Sequence, residues 1–153
     1  MSFVFPKSQT IPLGIVVRKS PGMTRWAKWV WRVVDILPGA GPADWTVLRD
    51  EAEVTEYHAA TVPLSLYVSD TEAYLHEMST RAPSVYIVLS PDESRQDRPW
   101  KVMLATASPY EAQDYCDAAE VQVEKIPMPE GMKAWVADYL RQHHEEEAFV
   151  KRK

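Results

Sequence analysis

From Trp26 to Leu37 the chain is apolar except for Lys28, Arg32 and Asp35. The run is too short and too charged to cross a membrane, which takes roughly 18 to 20 apolar residues. Read as a strand, it is apolar on both faces. Trp29, Trp31 and Val33 fall on one side, and Val30, Val34 and Ile36 on the other. Such a strand is either central in a sheet or has one face turned to a partner. The break that follows, Pro38-Gly39-Ala40-Gly41-Pro42, allows neither strand nor helix to continue.

The other elements arrange themselves around that strand. Ile11, Leu13, Ile15 and Val17 alternate, which predicts a strand over 11–18 ended by the turn Ser20-Pro21-Gly22. Residues 45–49 and 53–60 read as a hairpin, and Leu64, Leu66 and Val68 as a further strand. The first helix is expected at Ser69-Asp70-Thr71-Glu72, whose S-x-x-E spacing suits a capping box, with Tyr74, Leu75 and Met78 facing inward. Strands follow over 84–89 and 100–106, separated by a polar loop over 91–99. Ser108-Pro109-Tyr110-Glu111 repeats the capping box with proline at the first helical position. Ala112, Tyr115, Cys116 and Ala119 then form an apolar stripe that places Cys116 in the core. A strand over 121–126 leads to a last helix opened by Pro129, with Met132, Trp135, Val136, Tyr139 and Leu140 on one face. The order predicts an α+β fold: a single, mostly antiparallel sheet with three helices packed on one face. Residues 1–10 are expected to be a flexible N-terminus, 11–144 one domain, and 145–153 a C-terminal tail.

Charge and cysteine usage narrow the setting. The 153 residues carry 17 basic and 22 acidic side chains, and the last three residues are all basic, so residues 1–150 hold 14 against 22. An acidic body lacks the basic footprint that phosphate contacts need, and no nucleic-acid partner is expected. The lone Cys116 has no disulfide partner in the chain. With no secretory start and no membrane-length apolar run, the expected location is cytoplasmic.

No arrangement of residues announces chemistry. His143 and His144 are adjacent, so on a helix they point about 100° apart and cannot share a metal. His143 and Glu147 have ligand spacing but no third ligand, and His58 and His76 stand alone. The Pro38–Pro42 segment lacks the Lys-Ser/Thr of a phosphate loop, and there is no G-x-S-x-G elbow. The carboxylates at Asp50, Glu51 and Glu53, and at Asp92 and Glu93, fall in turns. No catalytic residue, metal or cofactor is expected. Two features could meet a partner. One is the cluster Arg25, Trp26, Lys28, Trp29, Trp31 and Arg32, whose aromatics beside arginine have the composition of a binding hot spot. The same tryptophans would equally serve as core. The other is the tail, where Phe149 precedes Lys151, Arg152 and Lys153. It is either a short docking peptide or an ordinary terminus.

The segments Ile11–Val17, Trp29–Pro38, Ala107–Tyr115, Pro127-Met128-Pro129-Glu130 and Phe149–Lys153 together resemble an uncharacterised proteobacterial family of unknown function. The resemblance implies a setting, because members are often encoded beside formate dehydrogenase and molybdenum-enzyme accessory genes. Some carry a molybdopterin-guanine dinucleotide biosynthesis label. That activity needs a Gly-rich nucleotide loop, and this chain has none. The function expected is a non-catalytic accessory or interaction protein linked to maturation of a molybdenum-dependent formate dehydrogenase. Its partner would be the dehydrogenase or one of its maturation factors. The alternative is a small-molecule module stacking a pterin or nucleotide on its rings, and an enzyme with an unrecognised site is the third class. Nothing in the sequence fixes the oligomeric state.

Overall fold

Two 13-residue strands, β1 (Gln9–Pro21) and β4 (Val54–Leu66), pair antiparallel from Gln9↔Leu66 to Lys19↔Thr55 and form the spine of the molecule. The computed structural model describes residues 7–24 and 28–151, of which 145–151 by backbone alone. Pro12 stands directly opposite Pro63 on the spine. Neither residue has an N–H, so this must be a non-hydrogen-bonded pair, and the strands pass through it unbroken. For this reason residues 53–60 and 64–68, expected as separate strands, lie largely within one strand.

β2 (Trp29–Pro38) pairs with β1 and β3 (Thr46–Glu51) pairs with β4, giving a four-stranded sheet of order β2-β1-β4-β3. A bulge at Val34 on β2 separates Val17↔Val33 from Val16↔Asp35. One extra residue reverses which side chains face inward. Trp31 and Val33 are buried before the bulge and Ile36 after it, all in the same core. The strand that reads as apolar on two faces therefore has one inward face with a shifted phase.

The chain leaves this sheet through a 3-10 turn (Val68–Asp70) and helix α1 (Thr71–Met78). It then builds a second antiparallel sheet of order β6-β5-β7 from β5 (Ser84–Pro91), β6 (Trp100–Thr106) and β7 (Gln122–Pro127), with α2 (Pro109–Cys116) between β6 and β7. The single sheet expected from the sequence is therefore two sheets. Their inner faces share one core, in which Leu13, Ile15, Val17, Leu64 and Leu66 meet Val85, Ile87 and Leu89. Full burial of each such side chain contributes about 1.5 to 3 kcal/mol. β6 lies against β4 and β7 against β2, so the sheets meet along both edges without a shared ladder.

The helices do not share one sheet face either. α2 packs on the second sheet through Ala112, while α3 (Glu130–Lys151) packs on α1 and the 3-10 turn. The expected inner face of α3 is present: Met132, Val136, Tyr139 and Leu140 are buried. Its polar atoms tie down the start of β1, with Tyr139 Oη donating to the Lys7 carbonyl at 3.0 Å and Trp135 Nε1 to Gln9 Oε1 at 2.9 Å. At Ser108 the expected cap forms, its hydroxyl oxygen accepting from the Glu111 N–H at 3.1 Å with Pro109 next in line. At Ser69 it does not. Ser69 already lies inside the 3-10 turn, whose Asp70 N–H bonds the Tyr67 carbonyl, so it lacks the extended conformation of a cap. The buried side of α1 is Thr71, Ala73, Tyr74 and Glu77, and Leu75 is exposed.

Candidate partner-binding surface

Burial along β1 ends at Val17 and along β2 begins at Trp31, so the far end of the four-stranded sheet extends past the core. The core closes at that end with an aromatic cluster. Trp31 meets Trp45 edge-on at 5.8 Å between ring centroids and stacks on Tyr57 at 6.2 Å, and Trp45 meets Tyr57 at 5.5 Å. Each such pair adds to simple area burial because ring edge and ring face carry opposite partial charge. The Lys19 ammonium lies 4.3 Å from the Trp29 ring centroid and 5.3 Å from that of Trp31. It caps the cluster and props Trp29 at its margin.

Outside this cap lies the loop between β1 and β2, closed by the Gly22 N–H bonding the Lys28 carbonyl at 3.1 Å. Met23 on the loop is 96% exposed and Trp29 at the base is 37% exposed. Two large apolar side chains are thus exposed at this end of the sheet, as are Val47 and Leu48 on β3. The cations beside them are held unequally. Lys28 is exposed. Arg18 bonds Glu56 at 2.7 Å, and Arg49 reaches the same carboxylate oxygen at 3.4 Å.

Arg32 has a structural partner. Its Nε bonds Oε1 of Glu124 at 2.6 Å, while Oε2 of Glu124 accepts the backbone N–H of Val33. Two residues back on β7, Gln122 Nε2 donates to the Trp31 carbonyl at 3.0 Å. Side chains of β7 thus satisfy backbone groups on the free edge of β2 in place of a ladder. Glu124 is 5% exposed, and its charge is compensated by the guanidinium and the amide.

Of the candidates named from sequence, the tip brings together Lys28 and Trp29, whereas Trp31 is core and Arg32 belongs to the seam between sheets. Arg25 and Trp26 lie outside the described residues, as do Arg152 and Lys153. Phe149 and Lys151 lie on α3, but their side chains are outside the described set. Two contributors were missed from the sequence: Met23, in a turn with no periodicity to mark it, and Lys19, whose place over two tryptophans follows only from its register opposite Trp31.

Cys116 is exposed, against the expectation that it sits in the core. α2 stops at Cys116 and is too short to carry the stripe on to Ala119, so its burial rests on Ala112. His144 Nδ1 lies 3.2 Å from Thr71 Oγ1, and His143 packs on Tyr139 at 4.4 Å between rings. His58 has a fixed role. Thr61 gives its hydroxyl proton to the Gly41 carbonyl at 2.6 Å, so His58 Nε2, 2.8 Å away, must be the donor in that pair.

Elsewhere, a groove of about 330 Å³ between α1 and α2 is lined by Asp70, Glu72, Glu111 and Asp114 with Ser69 and Ser108. Among the described residues no three His, Cys, Asp or Glu side chains converge as metal ligands. Behind the groove, buried Glu77 on α1 accepts from Tyr86 Oη at 2.6 Å and from the Ser84 N–H at 3.1 Å, fixing the helix to β5. Burial pushes the Tyr86 phenol well above its ordinary range, and the hydrogen bond to the Glu77 carboxylate adds to it. Burial does the same to Tyr74.

Over residues 12–153 the sequence matches the family described as "Protein of unknown function (DUF3305)". The chain belongs to that family. No curated protein and no solved structure matches it. Family membership therefore supplies a lineage without a mechanism, and the tip, the seam and the groove stand on their own geometry. Among the described residues of this family member, no helix is long and apolar enough to cross a membrane.

Proposed function

We propose that this member of the family is a non-catalytic interaction protein that engages a partner protein through the projecting β1–β2 end. The observation that carries the reading is the pair Met23 and Trp29, exposed together where the sheet has outrun its own core. Exposed aromatic and methionine side chains beside cations make up the usual composition of binding hot spots. The small-molecule alternative is less supported, because Trp31, Trp45 and Tyr57 pack on one another. For the partner we carry forward the setting implied by the family resemblance: a molybdenum-dependent formate dehydrogenase or one of its maturation factors.

The test is capture from the native organism with full-length tagged protein, read by mass spectrometry. Wild type should recover a dehydrogenase subunit or maturation factor. A Met23→Ser, Trp29→Ser variant that melts normally should lose it, and Glu72→Gln, Asp114→Asn in the groove should retain it. Equal recovery by both variants would remove the tip from the reading. Recovery of an unrelated partner would remove the dehydrogenase.

A further inference from the structure

The edge of β2 is only partly covered. In an antiparallel strand alternate residues direct both peptide groups to the same side. The Trp31 carbonyl and the Val33 N–H point away from β1, since they meet Gln122 and Glu124. The Trp29 N–H and carbonyl must therefore point the same way. The register agrees, because Trp29 stands opposite Pro21, which has no N–H to offer, and the next ladder bond runs from Gly22 to Lys28. β7 caps the edge at Trp31 and Val33. Beyond Trp31 no residue of the described chain pairs with it.

This open edge lies in a stretch of the sequence whose charge is all of one sign. Residues 18–32 contain five of the 17 basic residues and none of the 22 acidic ones, leaving 12 against 22 elsewhere. The acidic turn at Glu51 and Glu53 ends β3 and β4, so β1 separates it from β2. Among the described cations of this stretch, Arg18 is held by Glu56, Arg32 by Glu124 and Lys19 lies on Trp29, while Lys28 stands exposed beside the open edge. A nucleic acid, which carries charge continuously along its length, would run from this arm onto an acidic body. A short anionic segment would not.

We propose, resting on the interaction reading above, that the partner contributes an extended acidic segment that adds as a strand to the uncapped end of β2. Its backbone bonds the Trp29 peptide groups. Its carboxylates face Lys28, and an alternate apolar side chain lies on the exposed part of Trp29. This is strand addition, in which main-chain bonds give affinity and side chains on alternate positions give selectivity.

The test uses the full-length protein and fluorescein-labelled peptides of about ten residues, read by anisotropy. The peptides alternate Glu with Val, or Lys with Val, and a third version of the acidic peptide carries proline at every second valine. An oligo-dT of matched charge is the fourth probe. The acidic peptide should bind, and weaken several-fold as salt rises from about 50 to about 300 mM. Proline should weaken it about tenfold or more, since it removes the ladder donors. Lys28→Glu, at an exposed position, should also weaken it about tenfold without changing the melting temperature. No binding of the acidic peptide, equal binding of the lysine or proline peptide, or tighter binding of oligo-dT would overturn the inference. If the native partner is still lost on Met23→Ser, Trp29→Ser but retained on Lys28→Glu, the interaction reading survives and the acidic strand does not.

Discussion

Replacing Glu124 by alanine isolates the seam that joins the two sheets. The carboxylate makes two bonds of different kinds, to the Arg32 guanidinium and to the Val33 amide. Val33 is 5% exposed, so its N–H cannot recover water when the acceptor is removed. A buried, unsatisfied amide costs about 1 to 3 kcal/mol. The ionic part is worth less. The Arg32 side chain is 64% exposed, and a pair so open to solvent contributes from a few tenths to about 1 kcal/mol. Together Glu124→Ala should cost about 1.3 to 4 kcal/mol, whereas Arg32→Ala should cost about 1 kcal/mol or less. In a domain of this size each kcal/mol moves the melting temperature by about 2 to 4 °C, which places Glu124→Ala about 3 to 16 °C below wild type. Glu124→Gln keeps an acceptor for Val33 and should fall near Arg32→Ala. Thermal unfolding followed by circular dichroism, with urea titrations for the free energies, measures all three. The reasoning is refuted if Arg32→Ala is as damaging as Glu124→Ala, because the guanidinium and not the amide would then hold the seam. It is equally refuted if Glu124→Ala melts within a degree of wild type.

Other consequences are as direct. At Gly14 an added Cβ would lie 2.7 Å from His58 Nε2 and 2.9 Å from the Ala40 Cβ, so Gly14→Ala should lose about 1 to 3 kcal/mol in a urea titration, and His58→Ala should recover part of it. Tyr74 and Tyr86 have folded pKa values raised above the unfolded value of about 10, so their contribution is intact below about pH 10 and is lost as pH rises beyond it. Absorbance titration should show tyrosines that ionise only as the protein unfolds, and Tyr86→Phe should reduce their number by one. Exposed Cys116 should react with a thiol reagent in native protein within a few-fold of its rate in urea; strong native protection would return it to the core.

Strand positions were legible in the sequence because alternation is local. The partners of those strands were not, because pairing between strands far apart in sequence leaves no trace in either. Nothing near Gln122 or Glu124 marks them as edge caps for a strand some 90 residues earlier, and without that seam the strands read as one sheet. The double-faced run from Trp29 to Ile36 misled for a narrower reason: the bulge at Val34 reverses the phase, and only the partner strand reveals it. Capping boxes fared unevenly on the same logic. Ser108 follows extended chain and caps, while Ser69 lies within a turn that has already begun to coil. As for the surface, the aromatic and basic composition of residues 25–32 singled out a segment in which Lys28 and Trp29 are exposed and Trp31 is buried. Composition could not divide Trp29 from Trp31, since whether a ring is covered depends on Trp45 and Tyr57 arriving from β3 and β4.

Where one amide is protected by a carboxylate, its exchange with solvent hydrogen reports on something other than a ladder. Amides along β1 and β4 are released only when the spine itself opens. The Val33 amide is released whenever β7 swings away from β2, an event that leaves both sheets internally paired. Two layers fastened by side chains at that border can part as cooperative units of unequal stability. Val33 would then exchange with the second sheet although it belongs to the first by sequence and by pairing.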